Sequence, residues 1–291
     1  MRATLGKDRT HGGYLLTKAK GFQDAGYADR NSMFADNVDT NLFDFYEFAA
    51  SAAGKVCVEA EGYEYVDLGT SPWPRAVFAL NFPVSGLPAS LTEGITAGRI
   101  PNKVRVGPTS RPRGLEAALE AARFAPGKIS RGMRLEIARR GTAAPSAALE
   151  VRRLSSVEDF EAFARIVSRN LFEVREDELN EDSYAYAGLL GLLDGDRAFG
   201  FLCLEGGKPA STAYAFVDSS GIGGIYFVAT EADGRGRGCA SAAVSAALEE
   251  LARMGVEECI LHATEPGLPV YKRLGFSELC LLPIYSLPTG T

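Results

Sequence analysis

The chain has 291 residues, 46% of them hydrophobic, and a formal net charge of −6; at about 150 residues per domain this favours two ordinary cores over one. No apolar run approaches the roughly 20 residues of a membrane-spanning helix, and the start, MRATLGKDRTHGG, lacks the apolar stretch of a signal peptide, so no membrane partner and a cytoplasmic location are expected. From Glu150 onward 12 Lys+Arg face 22 Asp+Glu, a balance of −10, against 19 and 15, or +4, before it; so small and scattered a basic excess argues against nucleic acid as a partner.

In chain order, residues 1–38 show no sustained periodicity and read as a loosely ordered lead-in. NLFDFYEFAASAAG reads as a helix stopped by Gly54, and KVCVEAEGYEYVDL and PRAVFALNF read as strands. LPASLTEGITAG and PRGLEAALEAARFA are helical, with the short strand KVRVGP between them and MRLEIARR as a further strand. This is a mixed unit over 39–140. The small, polar, proline-containing GTAAPSAALE then places a linker at 141–149 and a second unit at 150–291.

The second unit opens with LEVRRL as a strand. Ser155 with Glu158 reads as a capping box starting a helix with Phe160, Phe163 and Val167 on one face. Three strands follow, RAFGFLCL, ASTAYAFV and IGGIYFVAT, joined by breaks short enough for antiparallel neighbours. A helix from about Cys239 to Met254 ends at Gly255. EECILHAT is a strand, LPVYKRLGF a short helix halted by Gly275, and ELCLLPIYSL closes the chain as a strand. The fold class is therefore α/β with a mixed sheet. Five cysteines (Cys57, Cys203, Cys239, Cys259, Cys280) form no C-x-x-C pair and only two histidines occur, so reduced core thiols and no metal site are expected. Trp73, the only tryptophan, reads as a core residue.

Between the strand GIYFVAT and the helix that follows lies Gly234-Arg235-Gly236-Arg237-Gly238. A helix starting there offers its first backbone N–H groups and the positive end of its dipole to an anion. Gly238 permits close approach of backbone to ligand, Ala240 is small as the helix begins, and the arginines add positive charge. The pattern R-x-x-G-x-A thus suits a diphosphate. A P-loop would need G-K-[S/T], a dinucleotide turn would need its glycines directly after the strand, and an Arg-Gly RNA segment would be longer. A glycine-rich turn without a ligand is the plain alternative.

The three-strand meander, VATEADGRGRGCASA, CILHAT and YKRLGF, in that order, resemble the GCN5-related N-acetyltransferase (GNAT) superfamily from about Glu150 to Tyr285. The resemblance implies acetyl-coenzyme A as co-substrate and no metal. The backbone at Val228, Ala229 and Thr230 would hold the pantetheine arm, and the N–H groups of Arg235, Gly236, Arg237, Gly238, Cys239 and Ala240 the pyrophosphate. Tyr271 matches the position that protonates the departing thiolate, which suits a phenol of pKa near 10; the alternative is that it only packs there. Glu231 and His262 are candidate bases beside a base acting through water, and each also reads as a residue without chemistry. The acidic EVREDELNEDSY (173–184) lies where the superfamily places substrate-facing loops, and also reads as solvated loop.

The first unit resembles the leading domain of two-domain GNAT members through VRVGPTSRPRGLEAALEAARF and GMRLEIA, as a degenerate copy of the fold. GPTSRPRGLEAAL puts prolines where free N–H groups are needed, so one cofactor site is expected, with the first unit shaping the acceptor pocket or an interface. The activity implied is N-acetyl transfer from acetyl-coenzyme A to a primary amine of a small molecule, by direct attack in a ternary complex. The second reading is a non-catalytic acyl-coenzyme A-binding regulatory module. The acceptor and the oligomeric state stay open, a homodimer among the options.

Overall fold

The computed structural model describes residues 30–69, 71, 73–83, 86–141, 149–178 and 196–288. The first half carries α1 (Arg30–Ala52), β1 (Val58–Ala60), β2 (Tyr63–Asp67), β3 (Arg75–Phe78), α2 (Ala89–Thr96), β4 (Val104–Arg105), α3 (Leu115–Ala121) and the long β5 (Ala125–Glu136). The second carries β6 (Leu149–Arg153), α4 (Val157–Leu171), β7 (Ala198–Glu205), β8 (Lys208–Val217), β9 (Gly223–Thr230), α5 (Cys239–Arg253), β10 (Glu258–Ala263), α6 (Leu268–Arg273) and β11 (Ser277–Ser286).

All eleven strands join one mixed sheet in the order β1-β2-β3-β4-β11-β5-β10-β9-β8-β7-β6. Its centre is an exchange. β5, from the first half, pairs antiparallel with β10, while β11, from the second, pairs antiparallel with β4; β5 and β11 pair with each other between them. Each half also holds one parallel crossover: β3 and β4 meet at Val77↔Val104, and β9 and β10 at Cys259↔Gly223 through Leu261↔Ile225. Two residues past these registers, Ala79 and Phe227 both take positive φ, 51° and 49°. The halves thus repeat one topology, and the first-half counterpart of the glycine joint is the chain entering α2. Its N-cap is Pro88, which has no N–H to offer. GPTSRPRG leads instead into α3, the counterpart of α6.

Burial divides by sheet face. α5 and α6 cover one face over Phe199, Cys203, Ala213, Ile225, Leu261 and Met133. On the other, α4 and Phe45 of α1 cover Leu202, Tyr214, Phe216 and Phe227. α1 is pinned by a buried polar knot: Asn41 Nδ2 donates to Asp218 Oδ2 (2.9 Å) and to the Ile222 carbonyl (2.8 Å), and Tyr226 Oη donates to Asn41 Oδ1 (2.6 Å). Buried polar groups stay only where paired in this way.

Several local readings shift. α1 begins at Arg30, so residues 30–38, expected in the loose lead-in, form its first turns, with Val38 fully buried against Ile260 and Leu282; residues 1–29 lie outside the described ones. The stretch KVCVEAEGYEYVDL is a hairpin, because Glu61-Gly62 turns it and Gly62 has φ 78°. The helix cap sits one residue later than expected. Ser156 Oγ accepts the Asp159 N–H (3.2 Å) and Asp159 Oδ2 accepts the Ser155 N–H (3.3 Å), while the exposed Glu158 turns its carboxylate to its own N–H and to Ser156. Asp159 wins this position because it also pairs with Arg152 at 2.9 Å. Residues 142–148 of the expected linker and 179–184 of the acidic cluster lie outside the described residues.

Candidate active site

The site starts from a failure of pairing. β9 and β10 hold a parallel ladder only as far as Leu261↔Ile225, and β9 then runs on to Thr230 without β10. A β-bulge causes the parting: the β8–β9 register slips between Thr212 and Tyr214, where Phe227 carries its positive φ. Tyr226 and Phe227 consequently turn to the same α1/α4 face, and Val228 turns to the α5 face. Thr212, fully buried, fills the bulge. Its Oγ1 donates to the Phe227 carbonyl (2.7 Å) and accepts the Ala229 N–H (3.1 Å).

Those bonds orient the strand. Ala229 turns its N–H toward β8, and its carbonyl accepts Ser211 Oγ at 2.7 Å. By alternation Val228 and Thr230 direct their backbone groups into the gap beside β10. The Thr230 carbonyl already accepts Arg235 Nε at 3.2 Å. Of the three strand residues singled out in the sequence, Val228 and Thr230 therefore face the gap and Ala229 does not.

Beyond β9, a short turn at Ala232–Gly234 leads to α5. Gly236 and Gly238 have φ of 76° and 88°, a region costly for side-chain-bearing residues. Gly238 is the N-cap and no side chain caps the helix. The Ala242 N–H bonds the Gly238 carbonyl at 2.9 Å, so the N–H groups of Cys239, Ala240 and Ser241 precede the intrahelical ladder. A Cβ on Gly236 would meet nothing within 4 Å, and one on Gly238 only Leu149 Cδ1 at 3.9 Å. The helix head is thus open and faces out beside the strand gap. The arginines flank it, tethered: Arg235 Nη2 donates to Asn170 Oδ1 (2.8 Å) and Arg237 Nη1 to Glu205 Oε1 (2.9 Å).

Tyr271 stands on the α5 face, edge-on to Phe276 with ring centroids 6.0 Å apart. Burial pushes its phenol pKa up, so it stays protonated at neutral pH. His262 and Phe227 lie on the opposite face, under α1 and α4. The His262 Nε2 is 3.0 Å from the Val38 carbonyl, which can only accept, so the proton is on Nε2. Burial, together with Arg105 and against the bond to Val38, pushes its pKa down to about 4. Glu231 already accepts from Asn170 Nδ2 (3.2 Å) and pairs with Arg169 (3.5 Å), which ties the loop to α4. Neither candidate base is a free group.

The remaining expectations can be placed on the same frame. Cys203, Cys239 and Cys259 are buried, and all five cysteines are free thiols; burial raises Cys203 to about 12 and raises Cys239 as well, which makes poor nucleophiles. Trp73 packs against Phe45, Tyr46 and Phe227, with ring centroids 4.8, 5.6 and 4.9 Å away, and keeps an exposed edge. Among the described residues no group of three or more His, Cys, Asp or Glu could hold a metal, and no helix is long and apolar enough to cross a membrane.

The mixed sheet and the helices on its two faces have the GNAT fold. Two solved structures are similar to this chain in overall fold. A GCN5-related N-acetyltransferase from Kribbella flavida superposes with a TM-score of 0.63 at 15% identity, over 86% of this chain and 96% of that one. A second, from Sphaerobacter thermophilus, gives 0.54 at 17% identity over 74% and 73%. No curated protein matches the chain by sequence. The family model for the acetyltransferase (GNAT) family matches residues 160–276.

Proposed function

We propose that this protein transfers an acetyl group from acetyl-coenzyme A to the primary amine of a small molecule, by direct attack in a ternary complex. The observation that carries the reading is the unplugged head of α5 beside the unpaired edge of β9. The residues present fit the donor. The N–H groups of Gly236 to Ala240 suit the pyrophosphate, and the edge at Val228 and Thr230 suits the pantetheine amides, which would add there like a short strand. When bound, the thioester supplies an activated acyl carbon and a sulfur leaving group. Tyr271, held protonated by burial, donates its proton to that sulfur as the C–S bond breaks and the amine nitrogen bonds the acyl carbon.

The acceptor arrives from the face of Phe227 and Trp73. Apolar rings favour the neutral form of an amine by desolvation, which lowers the demand for an enzymic base. The proton shed by the new amide nitrogen leaves to water, and water returns one to the Tyr271 phenolate. Incubation with acetyl-coenzyme A and a panel of amines should release free thiol, at a rate rising from pH 7 to 9. Binding of the thioester without thiol release across a broad panel would instead mark a regulatory module, and absence of any binding would refute both readings.

A further inference from the structure

A cavity lies away from the strand gap, on the side of the sheet where the first and second halves meet β11. It measures about 230 Å³ and opens between the start of α1, the end of β4, α3 and β11. Roughly 30 Å³ per water-sized group makes room for about eight non-hydrogen atoms. Its walls mix apolar surface from Val106, Leu281 and Pro283 with Asp36, Arg113 and Glu116.

Asp36 and Glu116 are half-buried and Arg113 is exposed at the rim. Neither an ion pair nor a hydrogen bond engages the Asp36, Arg113 or Glu116 side chain among the described residues. Elsewhere on the same sheet arginines find carboxylates, as Arg131 does with Glu265 and Glu278, and Arg134 with Glu258. Here Arg113, Asp36 and Glu116 line one hollow without pairing with each other.

We propose that this cavity is a binding site for a small α-amino acid, its carboxylate on Arg113 and its ammonium between Asp36 and Glu116. A guanidinium matches a carboxylate with two parallel hydrogen bonds, and an ammonium flanked by two carboxylates offsets their mutual repulsion. The apolar wall takes a side chain of a few atoms. A simple anion would leave Asp36 and Glu116 unsatisfied and repel them, and a simple amine would leave Arg113 unmatched.

The site is separate from the strand gap. His262, Gly132 and Cys280 stand in register on β10, β5 and β11, so two strand spacings, about 10 Å, divide the cavity floor from the edge of the gap. The inference therefore does not depend on the acetyl-transfer reading.

The test uses the full chain without acetyl-coenzyme A. L-Alanine and L-valine at about 10 mM should raise the melting temperature saturably, while acetate and ethylamine, alone or together, should not. Calorimetry should show affinity falling at least tenfold in Arg113→Ala and in Asp36→Asn. Arg113→Lys should keep part of it, and the ligand-free melting temperature should stay unchanged because these side chains hold nothing in the fold. No saturable shift with either amino acid, an equal shift with ethylamine or acetate, or affinity untouched by Arg113→Ala would overturn the proposal.

Discussion

Thr212→Val tests whether the bulge is held by a hydroxyl or by packing. Valine keeps the shape of threonine but loses Oγ1, and with it the bonds to the Phe227 carbonyl at 2.7 Å and the Ala229 N–H at 3.1 Å. Leaving a buried polar group unsatisfied costs about 1–3 kcal/mol, and Thr212 has no exposure to let water replace the hydroxyl. The expected loss is therefore about 2–3 kcal/mol. At about 2–4 °C per kcal/mol for a chain of this size, the melting temperature should fall by about 5–10 °C. Thr212→Ser keeps the hydroxyl and loses one methyl, so it should cost only about 1 kcal/mol. Thermal unfolding of the three proteins, followed by circular dichroism, decides the matter. A valine variant within about 0.5 kcal/mol of the parent, or a serine variant equally damaged, would show that the hydroxyl does not hold the bulge.

Tyr271→Phe keeps the ring against Phe276, so stability should hold within about 0.5 kcal/mol while thiol release falls about 100-fold and acetyl-coenzyme A affinity barely moves; undiminished turnover would remove the proton-donor role. Gly238→Glu places bulk and negative charge at the open head of α5 in a residue with φ 88°, so it should cost about 1 kcal/mol of stability and at least 100-fold in acetyl-coenzyme A affinity, read by calorimetry. Gly238→Asn, which tolerates that φ and carries no charge, should recover most of the stability. His262 predicts acid sensitivity: its folded pKa of about 4 lies below the unfolded 6.5, so the unfolded chain binds more protons between those values. Stability should be full above about pH 6.5 and fall by about 2–3 kcal/mol toward pH 4, and His262→Gln, which can still donate to the Val38 carbonyl, should flatten that slope in urea titrations. A slope the variant leaves unchanged would place the titration elsewhere.

What could be read beforehand divides along the range of the forces involved. The joint Gly234–Gly238 was legible because its backbone demands glycine locally, at φ of 76° and 88°, and a strand and a helix of clear periodicity flank it. The β7–β8–β9 meander was legible from its short turns. The bulge at Phe227 was not, since the Thr212 hydroxyl bonded across it lies one strand away, and its trace is the buried polar pair Ser211-Thr212 within the apolar run of β8. The cap was misplaced by one residue because Ser155/Glu158 and Ser156/Asp159 satisfy the same spacing, and Arg152 tips the choice. Glu231 and His262 looked available because Asn170, Arg169 and the Val38 carbonyl, which occupy them, are distant in the chain. The positions of β5 and β11 were the least legible of all, since partners more than a hundred residues apart leave no periodic mark.

That pairing of β5 with β11 makes the molecule indivisible. A fragment ending after β5 would carry that long strand with neither of its neighbours, and one starting at β6 would leave β10 with a bare flank, so both would present raw strand borders that invite clumping. A leading half that lacks a glycine joint of its own is thereby bound to persist: it supplies the middle plank against which the trailing half's parted strands are assembled.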